Sequence, residues 1–280
     1  MSDPFKIDGP TCISFSFGRS SAYLLHRVLE ANGGLPEEAF VLSCNTGKEE
    51  KASLEFGREI SERWHVPITL LEYRPGAQFE VVTFDTASMN GEPFEAIIAQ
   101  RGGVLPNPRS RYCSSEMKTR TMHRYIRSLG IEDWETMIGI RADEPRRVAK
   151  FRFNPHPETP AEYVRIPLAD AFVSAHDVGA FWKAQPFDLE LPNNNGKTMH
   201  GNCDLCYLKP AAQVLSLIQE KPSRSVWWAA QEKKADEFAH GDGNRFRADR
   251  ASYAEMAKFT AAQADAFDQD EEAIACFCGD

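Results

Sequence analysis

The chain has 280 residues, 42% of them apolar and 26% charged, which is enough to bury a core and ordinary for a water-soluble protein. No run approaches the ~20 apolar residues of a membrane helix. The first nine residues carry neither a basic nor an apolar stretch, so no membrane partner and no signal peptide are expected, and the cytoplasm is the expected compartment. The net charge of -9 hides an asymmetry: Arg101 to Arg152 holds twelve Lys and Arg against six Asp and Glu. One basic stretch in an acidic chain points to a localised anion site more than to a general nucleic-acid surface.

Thr11–Phe15 is a short apolar run that ends in the small-residue turn Ser16-Phe17-Gly18-Arg19-Ser20-Ser21. From Ser21 the apolar residues Ala22, Leu25, Val28 and Leu29 recur at helical spacing, and Asn32-Gly33-Gly34 stops the helix. Phe40–Ser43 predicts a second strand, followed by Asn45-Thr46-Gly47, a helix over Glu50–Trp64 and a third strand at Ile68–Tyr73. Strand alternating with helix predicts a doubly wound, mostly parallel α/β sheet flanked by helices, with ligands at the carboxyl ends of the strands. Both the serine turn and Asn45-Thr46-Gly47 fall at such ends. Further along, Phe94–Gln100 reads as a helix, Ser114–Leu129 as a basic helix and Thr136–Ile140 as a fourth strand ending at Arg141-Ala142-Asp143-Glu144. Asn154–Pro160 reads as a proline-rich linker and Ala175–Lys183 as a helix capped by Ser174. Residues 1–170 are thus expected to form a nucleotide-binding α/β domain. Residues 171–280 are expected to form a mostly helical, cysteine-bearing C-terminal part that completes a metal site.

The serine turn lets backbone N–H groups and a helix N-terminus approach a phosphate, and hydroxyls at Ser16, Ser20 and Ser21 and the charge of Arg19 add donors. It is not a Walker A loop. Its spacing resembles the PP-loop of N-type ATP pyrophosphatases, S-G-G-x-(D/T)-S, with Ser16, Gly18 and Ser21 matching, Phe17 standing for Gly and Ser20 for Asp or Thr. With Asn45-Thr46-Gly47, Gly139-Ile140-Arg141-Ala142-Asp143-Glu144 and Gly201-Asn202-Cys203-Asp204-Leu205-Cys206, the chain resembles the phosphoadenosine phosphosulfate (PAPS) reductase-like family, of the adenine nucleotide alpha-hydrolase (HUP) type. Its iron–sulfur members, often carried by phages and mobile elements, are the nearest match. The resemblance implies an adenine nucleotide, ATP or PAPS/APS, laid across the strand ends. Ser16, Gly18, Ser20 and Ser21 would hold phosphate or sulfate oxygens, and Asn45, Thr46 and Gly47 would lie near ribose or adenine. Arg141 with Asp143 or Glu144 would close the far side, one holding anion and another a magnesium ion.

Seven cysteines in a reducing compartment argue against a disulfide framework. Cys12 and Cys44 sit in strand-like surroundings and read as small core residues. Cys203-x-x-Cys206, Cys113 and one cysteine of the terminal Cys276-Phe277-Cys278 read as a ligand set, here taken as Cys113, Cys203, Cys206 and Cys276. Spacing alone leaves a four-cysteine zinc site and a [4Fe-4S] cluster both open; the family resemblance implies the cluster. Lys118 and Arg111 are placed to approach a substrate anion, and the family resemblance implies a C-terminal cysteine, here Cys278, as the nucleophile that takes up sulfur, although the tail Cys276–Asp280 lacks the E-C-G-(I/L)-H ending of assimilatory reductases. The expected function is sulfur chemistry on an adenine nucleotide: reduction of an adenylylated sulfate, or ATP-dependent sulfur transfer to an acceptor. A reductant or sulfur donor and a nucleic-acid acceptor are the further partners this entails. The rival readings are a non-catalytic nucleotide or redox sensor, in which Phe17 obstructs the loop, and a nucleic-acid-acting factor using Arg101–Arg152 as its surface, with Arg120, Arg124 and Arg127 the residues whose replacement tests it.

Overall fold

The computed structural model describes residues 3–192, 198–201, 203–238 and 244–268, the last with side chains to residue 263. It divides into two compact units, residues 1–100 with 111–204, and residues 101–110 with 205–280. The division falls after Asp204 and not after residue 170, because the 175–184 helix packs its Trp182 into the core of the first unit.

In the first unit, β1 (Thr11–Ser14), β2 (Ala39–Asn45), β3 (Ile68–Glu72), β4 (Glu80–Val82), β5 (Trp134–Ile138) and β6 (Glu162–Arg165) form one sheet in the order β4-β3-β2-β1-β5-β6. Every pairing is parallel except β3 with β4. The sheet is therefore the mostly parallel, doubly wound one read from the sequence, with a short antiparallel edge strand that the sequence reading lacked. β1 sits at the centre, and the chain passes from β1 outward through β2 and β3 before returning to β5 on its other side. That reversal is the topological switch point, where a crevice opens at the strand ends.

One face is covered by α1 (Arg19–Asn32), α2 (Lys51–Arg63) and α8 (Ala175–Ala184), which bury Leu24, Leu25, Phe56, Ile60 and Trp182 against Ile13, Val41 and Leu70. Gly33 ends α1 at φ 72°, donating its N–H to the Leu29 carbonyl as a left-handed cap. Ser174 caps α8 through a reciprocal box with Asp177. The opposite face carries α5 (Thr121–Ser128), whose Ile126 packs with Cys12, Leu42, Cys44, Leu71 and Trp134. The basic helix read over 114–129 is broken: α4 (Tyr112–Ser114) gives way to a π-helical turn at Ser115–Arg120 before α5 begins. α3 (Glu92–Gln100), α6 (Pro145–Phe153) and α7 (Pro167–Asp170) complete this unit. The second unit contains α9 (Ala211–Glu220), α10 (Arg224–Phe238) and α11 (Tyr253–Asp268), packed around Trp228, Phe246 and Tyr253 with ring centroids 4.9 Å and 5.3 Å from Trp228. No helix among the described residues is long and apolar enough to cross a membrane.

Candidate functional site

The serine turn leaves β1 at the switch point and enters α1. Ser21 Oγ staples it, donating to the Gly18 carbonyl at 2.9 Å and receiving the backbone N–H of Ser16 at 3.2 Å. Phe17 holds φ at 57°, and its ring leaves the turn for the core, 3% exposed, against Phe15 at 5.4 Å and Phe84 at 6.5 Å. The expected obstruction of the loop by this ring is thereby corrected, because the left-handed backbone turns the side chain into the packing under α2. Gly57 of α2 makes the room: a Cβ there would lie 2.6 Å from the ring. Gly139, just after β5, presses on the backbone of Ser21 in the same way, at 3.0 Å from a built Cβ.

Arg141 reaches back across 121 residues to donate to Ser20 Oγ at 2.8 Å, while its Nε meets Asp143 at 2.9 Å and its backbone N–H meets Glu144 at 3.2 Å. Ser16, Gly18, Ser20, Ser21, Arg141, Asp143 and Glu144 therefore gather around one helix start. Arg19 faces elsewhere: its Nε and Nη2 bond Asp188 at 2.6 Å and 2.7 Å, so its fork is held by a carboxylate.

Asn45 is fully buried, and its amide is spent on Glu72 (2.6 Å), the Ser88 carbonyl (2.7 Å) and the Gly47 N–H (3.0 Å), an arrangement that shapes the turn. Gly47 holds φ at 77°, and a Cβ there would lie 2.9 Å from the Gly91 backbone. The turn delivers Thr46 Oγ1 to 3.4 Å from Cys203 Sγ, and Glu49 pairs with Cys203 in an isolated antiparallel bridge. Lys118 Nζ, from the π-helical turn, meets Glu49 Oε1 at 3.1 Å. Burial pulls the Lys118 ammonium down, but the charges of Glu49 and Cys203 outweigh it and hold its pKa above the ordinary lysine value. Lys118 thus sets a cation near the half-buried Cys203 side chain; a thiolate is the form that binds metal and attacks sulfur. Cys12 and Cys44 are the opposite case: burial pushes the Cys12 thiol well up and the Cys44 thiol to about 12, so both are inert core residues.

Cys113 is half-buried in α4 of the first unit, and Cys206 lies at the start of the second unit. Among the described residues no group of three or more His, Cys, Asp or Glu side chains is placed to hold a metal ion. Cys276 and Cys278 lie outside the described residues.

A cavity of about 480 Å³ opens at the strand ends. Ser14, Ser16, Arg111, Ser114, Ser115 and Lys118 line it near the serine turn, and Cys12, Thr136, His123 and Glu162 line it farther down the sheet face. Glu162 was absent from the sequence reading, since β6 carries too short a pattern to be seen, and Thr136 was read only as part of a strand; a buried acid beside a histidine has no spacing signature. Part of the basic stretch is held by carboxylates: Glu116 holds Arg120 at 2.6 Å and Arg124 at 3.4 Å, Glu144 holds Arg147, and Asp170, beyond the stretch, holds Arg152. Arg127 lies over the Trp134 ring.

The model of the phosphoadenosine phosphosulfate reductase domain family matches residues 10–171, more than half of the chain. The uncharacterized nin region protein ORF290 of Escherichia phage lambda is 29% identical over 212 residues, covering 72% of this chain and 67% of that protein. Among solved structures, a PAPS reductase from Candida auris in complex with phosphate is 13% identical with a TM-score of 0.42, covering 63% of this chain and 72% of that one. The U34-tRNA thiolase NcsA from Methanococcus maripaludis with its [4Fe-4S] cluster is 12% identical with a TM-score of 0.41, covering 100% of this chain and 79% of that one.

Proposed function

This chain belongs to the phosphoadenosine phosphosulfate reductase domain family, and on that ground we propose that it is an enzyme of sulfur chemistry on an adenine nucleotide. The nucleotide, ATP or PAPS/APS, would enter the cavity at the switch point with its anionic end at the serine turn. One observation carries the reading: Lys118 both lines that cavity and sits beside the Cys203 thiol, so a single cation links the nucleotide's anionic end to a sulfur atom. Arg111, also lining the cavity, would add a second cation, and Ser20, held by Arg141, would present its hydroxyl at the helix start. Preorganised cations and hydroxyls of this kind stabilise charge that develops on a transferring oxyanion. Asp143 or Glu144 would hold a magnesium ion, which would supply positive charge to offset that of the phosphates.

The thiol chemistry fits a metal centre, since Cys203 is half-buried, next to a cation and hydrogen-bonded to Thr46. On the C-x-x-C spacing and the family resemblance, Cys113, Cys203, Cys206 and Cys276 would be its ligands. A [4Fe-4S] cluster held there would supply electron transfer or sulfur handling. Cys278 would carry sulfur. The reaction is then either reduction of an adenylylated sulfate by an external reductant, or ATP-dependent sulfur transfer from a donor to an acceptor such as a nucleic acid.

The test is chemical analysis of anaerobically purified protein for iron, zinc and acid-labile sulfide, followed by turnover of PAPS, APS and ATP. About four irons and four sulfides per chain with release of sulfite, AMP or pyrophosphate is the expected result. Stoichiometric zinc without sulfide would remove the cluster from the proposal, and absence of turnover on all three nucleotides would overturn the enzymatic reading.

A further inference from the structure

The turn after β2 and the chain that opens the C-x-x-C segment are sewn together. Glu49 pairs with Cys203 in an antiparallel bridge, and the Asp204 N–H donates to the Lys48 carbonyl at 2.8 Å. In that register Lys48 falls opposite Asp204, and their side chains meet, with Lys48 Nζ 3.0 Å from Asp204 Oδ2. Both residues belong to the first unit and both are buried, their side chains 9% and 13% exposed. The next pair, Glu49 with Cys203, meets the polar groups of the site. Glu49 Oε1 accepts from Thr46 Oγ1 at 3.2 Å and from Lys118 Nζ at 3.1 Å, and Cys203 Sγ lies 3.4 Å from Thr46 Oγ1.

An isolated bridge specifies register poorly, because it offers little backbone bonding and a slip of one residue turns each side chain to the other side. A slip in one direction sets Asp204 against Glu49, carboxylate against carboxylate. A slip in the other sets Cys203 against Lys48 and leaves Asp204 beside Gly47, with the thiol turned away from Thr46. The buried ion pair removes both alternatives, since each would leave a buried charge without its partner. Such a pair adds little net stability over apolar residues of the same volume, and its best-attested use is to fix register. Gly47, at φ 77° against the Gly91 backbone, sets the direction in which Lys48 leaves β2, so the cation is placed by the turn itself.

We propose that Lys48 is a positioning residue for the Cys203 thiol: its buried pair with Asp204 locks the bridge in the one register that sets Cys203 against Thr46, on the side of Glu49 and Lys118. The inference deepens the function proposed above and rests on it for the purpose of the thiol, as ligand or reactive group. Where the thiol sits is a separate matter, measurable whether or not metal or nucleotide binds.

Thiol trapping in the full chain, reduced and freed of metal by chelation, tests it. Thr46→Cys puts a reporter sulfur where an oxygen now lies 3.4 Å from Cys203 Sγ, so mild oxidation with diamide should join the two in a disulfide located by peptide mass spectrometry. Adding Lys48→Met should lower the yield of that disulfide at least ~5-fold, because it strands the Asp204 charge and frees the register. Lys48→Asp combined with Asp204→Lys rebuilds the pair in the same register and should restore the yield to within about twofold. Lys51→Met removes a nearby cation that is 79% exposed and outside the pair, and should change nothing. Absence of the disulfide in the Thr46→Cys chain, an undiminished yield with Lys48→Met, or a folded double variant that fails to restore it would each overturn the proposal. Where circular dichroism shows that the Lys48 variants do not fold, amide exchange of the unaltered, metal-free chain decides. The Asp204 N–H should be protected at least ~10-fold over the free-peptide rate, and exchange at that rate would overturn the latch. A chain that carries no iron, zinc or sulfide and turns over no nucleotide, yet passes these tests, would lose the function proposed above and keep the latch.

Discussion

Replacing Phe17 by glycine, the residue of the S-G-G-x-(D/T)-S pattern, sets two effects against each other. At φ 57° a non-glycine residue costs roughly 1–2 kcal/mol, which glycine recovers. The ring, however, is 3% exposed in the main core, and deleting a buried phenyl costs about 3–5 kcal/mol. Phe17→Gly should therefore destabilise the first unit by about 2–3 kcal/mol, packing outweighing strain. Gly57 provides the second arm of a cycle. Alanine is favoured over glycine in a helix by about 1 kcal/mol, but its Cβ would lie 2.6 Å and 2.7 Å from two ring carbons of Phe17, so Gly57→Ala alone should destabilise. In the Phe17→Gly background that obstacle is gone and only Phe84, at 3.3 Å, must yield by a few tenths of an ångström. The same substitution should then be neutral to stabilising, by up to ~1 kcal/mol. Urea unfolding of the four proteins, followed by tryptophan fluorescence, measures the reversal. An unchanged sign for Gly57→Ala in both backgrounds, or a stabilising Phe17→Gly, would refute the placement of the ring.

Gly47→Ala meets both a positive φ of 77° and a backbone contact at 2.9 Å, so it should cost about 2–3 kcal/mol in thermal or urea unfolding; a change within experimental error would count against the turn as described. Lys118→Met removes the cation beside Cys203 and should slow alkylation of Cys203 by iodoacetamide several-fold at pH 8, read by peptide mass spectrometry, while Arg120→Met, on a residue paired with Glu116, should leave it alone. Arg19→Ala breaks the pair with Asp188 and should lower stability without weakening pyrophosphate binding; weakened binding at unchanged stability would return Arg19 to the phosphate site. Two of the buried glutamates, Glu162 and Glu232, carry opposite pH signatures. The Glu162 contribution is present above the ordinary carboxyl range and is lost as pH falls through its depressed folded value. Burial raises Glu232, so its contribution is present at low pH and is lost as pH rises through its elevated folded value. Glu162→Gln and Glu232→Gln should accordingly change the acid limb of a stability–pH curve in opposite directions.

The sequence disclosed the elements that bury apolar stripes. β1, β2 and β3 are short apolar runs, and α1 announces both its buried face and its glycine stop. β5 was read two residues late, over Thr136–Ile140, because Trp134-Glu135 looks polar, although Trp134 is buried and its row pairs with β6. α6 was missed for a physical reason: it buries no residue, so Pro145–Phe153 has no apolar periodicity to detect. β6 is four residues long and buries Glu162 while exposing Tyr163, so its alternation runs against the polarity of its residues. In the site, hydroxyls and glycines of the serine turn were legible from local chemistry, and Ser20 does meet Arg141. Which cations are already engaged was not legible, because Asp188 and Glu116 claim Arg19 and Arg120 through tertiary packing.

The parts hidden from the sequence are those that give the cavity its polarity. A regular α-helix through residues 114–129 would leave each backbone group bonded four residues back; the π-helical turn at Ser115–Arg120 inserts an extra residue per turn, with Thr121 Oγ1 donating to the Glu116 carbonyl at 2.8 Å. The extra residue shifts the register of what precedes it relative to α5. On the α5 side, His123 and Ile126 face the sheet. On the turn itself, Lys118 can then reach Glu49 and the neighbourhood of Cys203 while still lining the cavity. One helical break thus sets the cation at the mouth and the imidazole at the floor, five residues and one change of register apart. A change that restores α-helical register there should disturb both ends: alkylation of Cys203 should slow and the first unit should lose stability together. Deleting Thr119 is such a change, since it removes one residue of the π-helical turn between Lys118 and His123. If one readout moves and the other does not, the π-helical turn is not what couples them.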